Sequence, residues 1–310
     1  MKILITGGTG MVGSAFKDID TKHNLVLIGS SEQDLTDYQS AFSAINEHSP
    51  DAVIHLAARV GGVKGNSDYV ADFYSDNIRI NTNVLLAAHS LGVGKVLSLL
   101  STCIYPDNAI YPLTEEQIHS GAPHQSNFGY AYAKRMLEVQ SRAYRQQYGS
   151  NFITAVPNNL FGEHDNFDLE NGHVIPSIIR KVYEAKQSGS DIVLWGDGTP
   201  LREFTYSKDL AKILLFLLEK YDRIEPINVG STSEYSIKDI AMTIADILDY
   251  QGNIVWDTSK PKGQMRKPSD NSKLLNMGWS KEDYSYFRTS LEKTCQWFLD
   301  NYPNVRGVIK

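Results

Sequence analysis

The sequence predicts a doubly wound α/β fold, a parallel sheet covered by helices on both faces, followed by a smaller α/β domain. Three observations predict it. Short apolar runs alternate with helical patterns through the first half of the chain. Those runs are continuously apolar rather than alternating, as expected of strands buried on both faces. A glycine-rich turn, TGGTGMVG, directly follows the first run and opens a helical pattern.

The elements follow in order. KILIT (residues 2–6), LVLIG (25–29), DAVIHLA (51–57), KVLSLLS (95–101) and FITAVP (152–157) read as strands. Helical segments fall between and after them at 10–20, 37–48, 69–91 and 128–148. Strand–helix alternation of this kind gives a parallel sheet with helices on both sides. Beyond about residue 160, Gly and Pro interrupt the pattern in FGEHDNFDLENGHVIP and WGDGTPLREF. A short strand is expected at 227–229, a helix at 236–248, a strand at 253–256 and a helix at 291–301. The expected division is residues 1–160 for nucleotide binding and 161–310 mainly for substrate, with some segments crossing back.

A chain of 310 residues suits two domains at roughly 150 residues each. Hydrophobic residues are 42% and charged residues 21%, an ordinary balance for a globular enzyme. A net charge of −6 gives no basis for a nucleic-acid or acidic-membrane partner. The N-terminal apolar run leads straight into glycines and reads as a strand, not a signal peptide. No stretch approaches the ~20 apolar residues of a membrane span. Cys103 and Cys295 are too few for a disulfide framework, so a reducing, cytoplasmic setting is expected. The histidines lack metal-ligand spacing, and no metal is expected.

Gly7, Gly10 and Gly13 stand in G-x-x-G-x-x-G spacing. Glycine permits the tight turn and lets backbone N–H groups approach a pyrophosphate at a helix N-terminus. The third glycine allows close helix–strand packing. A carboxylate ending the second strand would bind the ribose 2′-OH of NAD; Gly29, Ser30 and Ser31 stand there instead, which favours NADP. Asp34 comes later, either as an adenine ligand or as a turn residue.

FGYAYAKRM places Tyr130 and Lys134 four residues apart, on one helix face. A nearby ammonium is expected to lower the phenol pKa from about 10 and make the tyrosine a usable acid. Tyr132 lacks such a partner, because Met136 stands four residues on. Ser101 is expected to end the fourth strand, at the carboxyl edge where open α/β sheets bind ligands. Serine, tyrosine and lysine behind a glycine turn resemble the extended short-chain dehydrogenase/reductase superfamily, with its Rossmann-type sheet.

Cys103 follows Ser101 by two residues and should border the same ligand. An isolated buried cysteine is usually a small hydrophobe. A thiol of reference pKa about 8.5 beside a sugar ketone can instead remove a proton from the carbon next to the carbonyl. A second group must return a proton to the opposite ring face. His173 in ENGHVIPSIIRK, placed before a helix, is the candidate donor, with His164 in FGEHDNF as competitor.

Within that superfamily the sequence resembles the epimerase-reductase family that converts GDP-4-keto-6-deoxy-D-mannose to GDP-L-fucose. The likeness runs through HLAARVGGV, LSTCIYPDN, HQSNFGYAYAKRM, PNNLFGEHDNF, GHVIPSIIRK and WGDGTPLREF to DNSKLLNMGW. It implies that Cys103 and His173 invert C3 and C5, that Tyr130 and Ser101 polarise the C4 oxygen, and that NADPH delivers hydride to C4. Lys134 would hold the nicotinamide ribose and tune Tyr130. It further implies an NADP site along Gly7, Gly8, Thr9, Gly10, Met11, Val12 and Gly13, then Asp34 and Leu35, then Ala57 and Ala58. Lys134, His173 and the run Pro157, Asn158, Asn159, Leu160 would complete that site. Lys181, Trp195, Arg202 and Lys267 resemble residues that bind the GDP-sugar. Arg202 suits pyrophosphate oxygens, whereas Trp195 read without the family is equally a core residue. Two positions depart from the pattern: Lys262 replaces an acid common in relatives, and Thr9 stands where bacterial relatives often carry arginine.

Two other functions compete. A sugar-nucleotide 4-epimerase or dehydratase with tightly held NAD would not need Cys103 and His173. A non-catalytic NADP sensor would be expected to lose members of the set. The family also implies a homodimer, through a four-helix bundle built from residues 69–91 and 128–148 of each copy.

Overall fold

A computed structural model describes residues 1–260 and 264–308. In the first half, β1 (Lys2–Thr6), α1 (Met11–Ala15), β2 (Asn24–Ile28), α2 (Tyr38–His48) and β3 (Ala52–His55) come first. They are followed by α3 (Val63–Asp68), α4 (Val70–Ser90), β4 (Lys95–Leu99), α5 (Phe128–Tyr148) and β5 (Phe152–Pro157). The second half runs β6 (Asn159–Phe161), α6 (Val174–Ser188), β7 (Ile192–Trp195), β8 (Leu201–Tyr206), α7 (Ser207–Lys220) and β9 (Ile227–Val229). It ends with β10 (Glu234–Ser236), α8 (Ile237–Ile247), β11 (Ile254–Asp257), α9 (Ser272–Asn276) and α10 (Phe287–Asn301).

The main sheet has the order β2-β1-β3-β4-β5-β9. Each neighbouring pair is parallel. Successive strand residues point to opposite faces, and both faces are buried. Ile3, Ile5, Ile54 and Leu97 pack on one side with Leu210 and Leu214 of α7. Leu4, Val53 and Val96 pack on the other with Ile45 of α2 and Leu85 of α4. Each such side chain contributes roughly 1.5–3 kcal/mol by leaving water. This two-sided burial explains why the strands read as unbroken apolar runs.

The strand order reverses between β1 and β3, and ligands bind at the carboxyl edge of such a switch point. From the second half, β9 enters this sheet beside β5, with Ala155 opposite Ile227 and Pro157 opposite Val229. The rest of that half forms two small sheets, β10-β8-β6 and β11-β7. They share an aromatic-rich core around Phe161, Phe167, Tyr206 and Phe298.

The seven strands that the sequence predicts are present with shifted ends, whereas β6, β7, β8 and β10 are not among those predicted. The fourth strand stops at Leu99, so Ser101 does not end it. Ser101 instead caps a single 3-10 turn, Thr102–Ile104, because its hydroxyl draws in the N–H of Cys103. The predicted helix at 10–20 is likewise shorter, α1 passing at Phe16 into a 3-10 turn. No helix among the described residues is long and apolar enough to cross a membrane.

Candidate active site

Gly7 sits at φ +70, where a side chain is strained. A Cβ there would lie 2.9 Å from the Ala57 nitrogen, so the turn after β1 presses against the turn after β3. A Cβ on Gly13 would meet Gly8 Cα at 2.6 Å, which fixes the close packing of α1 on its own loop. Gly10 is different: a Cβ there would touch only the Gly7 carbonyl, at 3.3 Å. The protein barely crowds that position, and the open space lies toward a ligand.

The two turns are joined through Thr6. Its Oγ1 accepts the N–H groups of Leu56 and Ala57, each at 3.2 Å, and contacts His55 Nδ1 at 2.8 Å. On the far side His55 Nε2 meets Asn81 Oδ1 at 3.1 Å, and Asn81 Nδ2 donates to the Ala133 carbonyl. With Thr6 donating to Nδ1, the ring carries its proton on Nε2. Burial, aided by the charge of Lys134, lowers the His55 pKa to about 3, so the ring is neutral. This relay ties β1 and β3 to α4 and α5, beside Lys134.

Lys134 is buried and donates from Nζ to the Leu99 carbonyl at 2.7 Å. Burial lowers its pKa to about 8. Its ammonium also lies 6.0 Å from the Tyr130 ring centre. The expected lowering of the Tyr130 pKa does not occur. Burial raises it well above the usual tyrosine range, and the neighbouring Cys103 adds to the rise. Tyr130 is therefore a neutral phenol, a donor rather than a phenolate.

These groups line one cavity of about 900 Å³ at the carboxyl edge of the sheet. Gly7, Thr9, Gly10, Met11, Val12 and Gly13 form one wall, with Ala57 and Ala58 beside them. Asp34 and Leu35 line one part, and the run from Pro157 to Leu160 another. Ser101, Tyr130, Lys134 and His173 face the same space. The first N–H groups of a helix lack intrahelical acceptors, and Met11 to Gly13 bring those of α1 to the cavity wall. A dinucleotide fits this set: an uncrowded glycine turn, free N–H groups and a long cavity running past the serine, tyrosine and lysine.

Two expected residues lie elsewhere, and a third is already engaged within the protein. Gly8 does not line the cavity; a Cβ there would strike Leu27 Cβ at 2.6 Å, so its role is packing against β2. The carboxylate of Asp34 is engaged by the N–H and hydroxyl of Thr36, at 3.0 and 2.7 Å. His164, at φ 63, rests on Trp297 and is not part of the cavity wall.

Cys103 sits outside the cavity wall, half-buried against Ser101. Burial pushes its thiol up, while the Ser101 hydroxyl and the charges of Lys267 and Lys134 pull it down. Lys267 is lowered by burial, with Cys103 and Arg202 both acting on it. Cys103, Lys267 and Arg202 thus share one electrostatic neighbourhood beyond the cavity. Lys181 is held farther along, its Nζ on the Val193 carbonyl at 3.1 Å. Trp195 is no core residue: it is 64% exposed, with Lys260 Nζ 5.8 Å from its ring centre. Lys262 lies outside the described residues.

The cavity also contains residues that the sequence reading did not pick out. Arg59 lines it and pairs with Asp76 at 2.6 Å. Asp165 and Arg306 line it beside His173. Asp165 is inside the GEHDNF stretch that drew attention only to His164, and Arg306 gave no signal near the end of the chain. Cys295, by contrast, is buried in the second core and pushed up to about 12, an inert thiol.

A parallel sheet with its glycine turn at a switch point, and a serine, tyrosine and lysine in one cavity, defines a nucleotide-dependent enzyme of the extended short-chain dehydrogenase/reductase class. The chain belongs to the NAD dependent epimerase/dehydratase family, whose sequence profile matches residues 3–230. Among its relatives, GDP-L-fucose synthase of Dictyostelium discoideum is 42% identical, over 98% of this chain and 97% of that one. GDP-L-fucose synthase of Escherichia coli is 37% identical over 99% of each. In three dimensions the chain matches a crystal structure of a GDP-L-fucose synthetase from Naegleria fowleri bound to NADP. The TM-score is 0.92 at 42% identity, covering 98% of this chain and 95% of that one.

Proposed function

We propose that this chain carries out the GDP-L-fucose synthase reaction: 3,5-epimerisation of GDP-4-keto-6-deoxy-D-mannose, then NADPH-dependent reduction at C4. The observation that carries the reading is the placement of Ser101, Tyr130, Lys134 and His173 on one dinucleotide-sized cavity, with Cys103 against Ser101. Relatives of that name covering nearly the whole chain support it.

The C4 ketone acidifies the protons on C3 and C5. Cys103 removes a proton, its thiolate favoured by Lys267 and Lys134 against the cost of burial. His173, at the start of α6, returns a proton from the other side. Tyr130 holds its proton and donates a hydrogen bond to the C4 oxygen, with Ser101 beside it. The same two donors stabilise each enolate and the final alkoxide, so one site serves three steps. When bound, NADPH would supply the hydride for C4, and Tyr130 protonates the product oxygen. Lys134 holds the ribose and keeps α5 in place through Leu99.

The GDP moiety lies beyond Cys103. Arg202 and Lys267 meet its pyrophosphate, Lys181 adds a further cation, and the exposed Trp195 ring offers a surface for the guanine. This division assigns residues 1–160 mainly to NADP and 161–310 mainly to the GDP-sugar. A homodimer through α4 and α5 suits the exposed Tyr74 and Phe128 on those helices. Two cysteines without a bridge suit the cytoplasm.

The test is NADPH oxidation with GDP-4-keto-6-deoxy-D-mannose in deuterated water. NADPH consumption with deuterium at C3 and C5 is expected. Consumption without deuterium would make the chain a simple 4-reductase and Cys103 a packing residue. Light scattering at micromolar concentration tests the dimer.

A further inference from the structure

The segment from Asp165 to His173 is held on two sides. Within it, the Asp168 carboxylate accepts the N–H groups of Glu170 and Asn171, at 2.9 and 2.7 Å. The Gly172 N–H donates to the Asp168 carbonyl at 2.9 Å. A Cβ on Gly172 would lie 2.6 Å from the Asn166 carbonyl oxygen, so the chain is folded tightly just before His173. On one flank the Gly62 N–H donates to the Asn171 carbonyl at 2.8 Å. On the other, the Phe167 N–H donates to the Arg306 carbonyl at 2.9 Å. Gly307 packs so closely on Asn166 and Asp168 that a side chain there has no room.

These constraints deliver Asp165, His173 and Arg306 to the lining of the cavity. Asp165 is 4% exposed. One carboxylate oxygen, Oδ1, accepts the Asn166 N–H at 2.7 Å. The other, Oδ2, is buried and has no hydrogen-bond partner. A buried carboxylate oxygen left without a donor is costly and calls for an explanation. Two side chains attract the ionised carboxylate, His173 the more strongly and Arg306 the less. Burial raises this carboxyl to about 6 against those two attractions.

We infer that Asp165 is a positioning residue for His173: its open oxygen receives an imidazole N–H and fixes which ring nitrogen faces the sugar. The inference rests on the proposal above that His173 donates a proton in epimerisation. The nitrogen a histidine uses is set by the bond its other nitrogen makes. Without that bond the ring rotates and exchanges tautomers, and its proton is misplaced for part of the time.

Nitrogen-15 spectra of histidine-labelled enzyme test this, with His173 assigned by its loss in His173→Gln. Wild type is expected to show a single His173 tautomer, and Asp165→Asn an averaged pair. Deuterium incorporation at C3 and C5 should fall about tenfold or more in Asp165→Asn, with KM for NADPH unchanged and partial recovery in Asp165→Glu. An unchanged tautomer in Asp165→Asn overturns the inference, and so does a raised KM for NADPH with kcat intact. Should Asp165→Asn fail to fold, an averaged tautomer in wild type overturns it alone. Full exchange in His173→Gln would remove the parent reading. Loss of exchange in His173→Gln but not in Asp165→Asn would remove only the role of Asp165.

Discussion

The Lys134 ammonium donates to the Leu99 carbonyl at 2.7 Å, so the helix that carries Tyr130 is fastened to the strand end that leads into Ser101. The same cation is costly to bury: its pKa falls from 10.5 to about 8. Between those values the unfolded chain binds more protons, so this group makes stability rise with pH from about 8 to 10.5. Below pH 8 the full cost of burying the charge applies. Lys134→Met is therefore expected to unfold at pH 7 with a free energy no lower than wild type, while turnover falls by about a hundredfold or more. Denaturant melts and steady-state rates on the same samples check both halves. A large loss of stability would show that the bond to Leu99 outweighs the buried charge.

Cys103 is assigned to epimerisation alone, whereas Tyr130 serves both activities and supplies the final proton, so the two substitutions should differ in effect. Cys103→Ser is expected to cut deuterium incorporation at C3 and C5 by about 10²–10⁴. Tyr130→Phe should lose C4 reduction by a similar factor and lower exchange by less, because Ser101 still donates to the enolate oxygen. Product analysis after incubation in deuterated water distinguishes them. Equal loss of both activities in Cys103→Ser would point to packing against Ser101 instead of proton removal.

The first half of the fold was legible because its signals are local. Apolar runs, the glycine turn, and the spacing of Tyr130 and Lys134 all lie within a few residues of the chemistry they specify. That some segments of the second half cross back was expected, but not which ones, because nothing in residues 207–229 names β5 as the partner of β9. The Tyr130 pKa was misread in sign for a related reason. The spacing shows a nearby lysine, but burial and the Leu99 carbonyl, which engages that lysine, are tertiary facts. Asp165 and Arg306 come to line one cavity only after the C-terminal segment folds back on Phe167. A carboxylate beside the chosen histidine motif was the one available hint.

His55 gives the fold an acid limit. Its pKa drops from 6.5 to about 3 because the ring is buried. The unfolded chain binds the extra proton between those values, so this group's contribution is lost as pH falls from about 6.5 toward 3. Asp165 works in the opposite direction: its carboxyl is raised from 3.8 to about 6, so its contribution is lost as pH rises through that window. Comparing wild type with His55→Asn isolates the histidine. The variant is expected to be less stable at pH 7, having lost the Thr6–His55–Asn81 relay, and the gap should narrow on going to pH 5. Urea melts at the two pH values check this; a constant gap would mean that the ring is not the titrating group.

Gly10 and Gly13 should respond differently to the same small change. Gly13→Ala places a methyl against the backbone of Gly7 and Gly8, with Gly8 Cα only 2.6 Å away. Backbone cannot swing aside as a flexible side chain can, so a loss of about 1–3 kcal/mol is expected. Gly10→Ala meets only the Gly7 carbonyl, at 3.3 Å, and Gly10 has an ordinary negative φ of −77. That variant should fold with a melting temperature near wild type. Its methyl would instead occupy the approach to the cavity, where a pyrophosphate must come close to the turn. NADPH affinity is expected to fall at least tenfold in Gly10→Ala, read by fluorescence titration. Unchanged affinity in a fully folded Gly10→Ala protein would mean that the dinucleotide does not run along this turn.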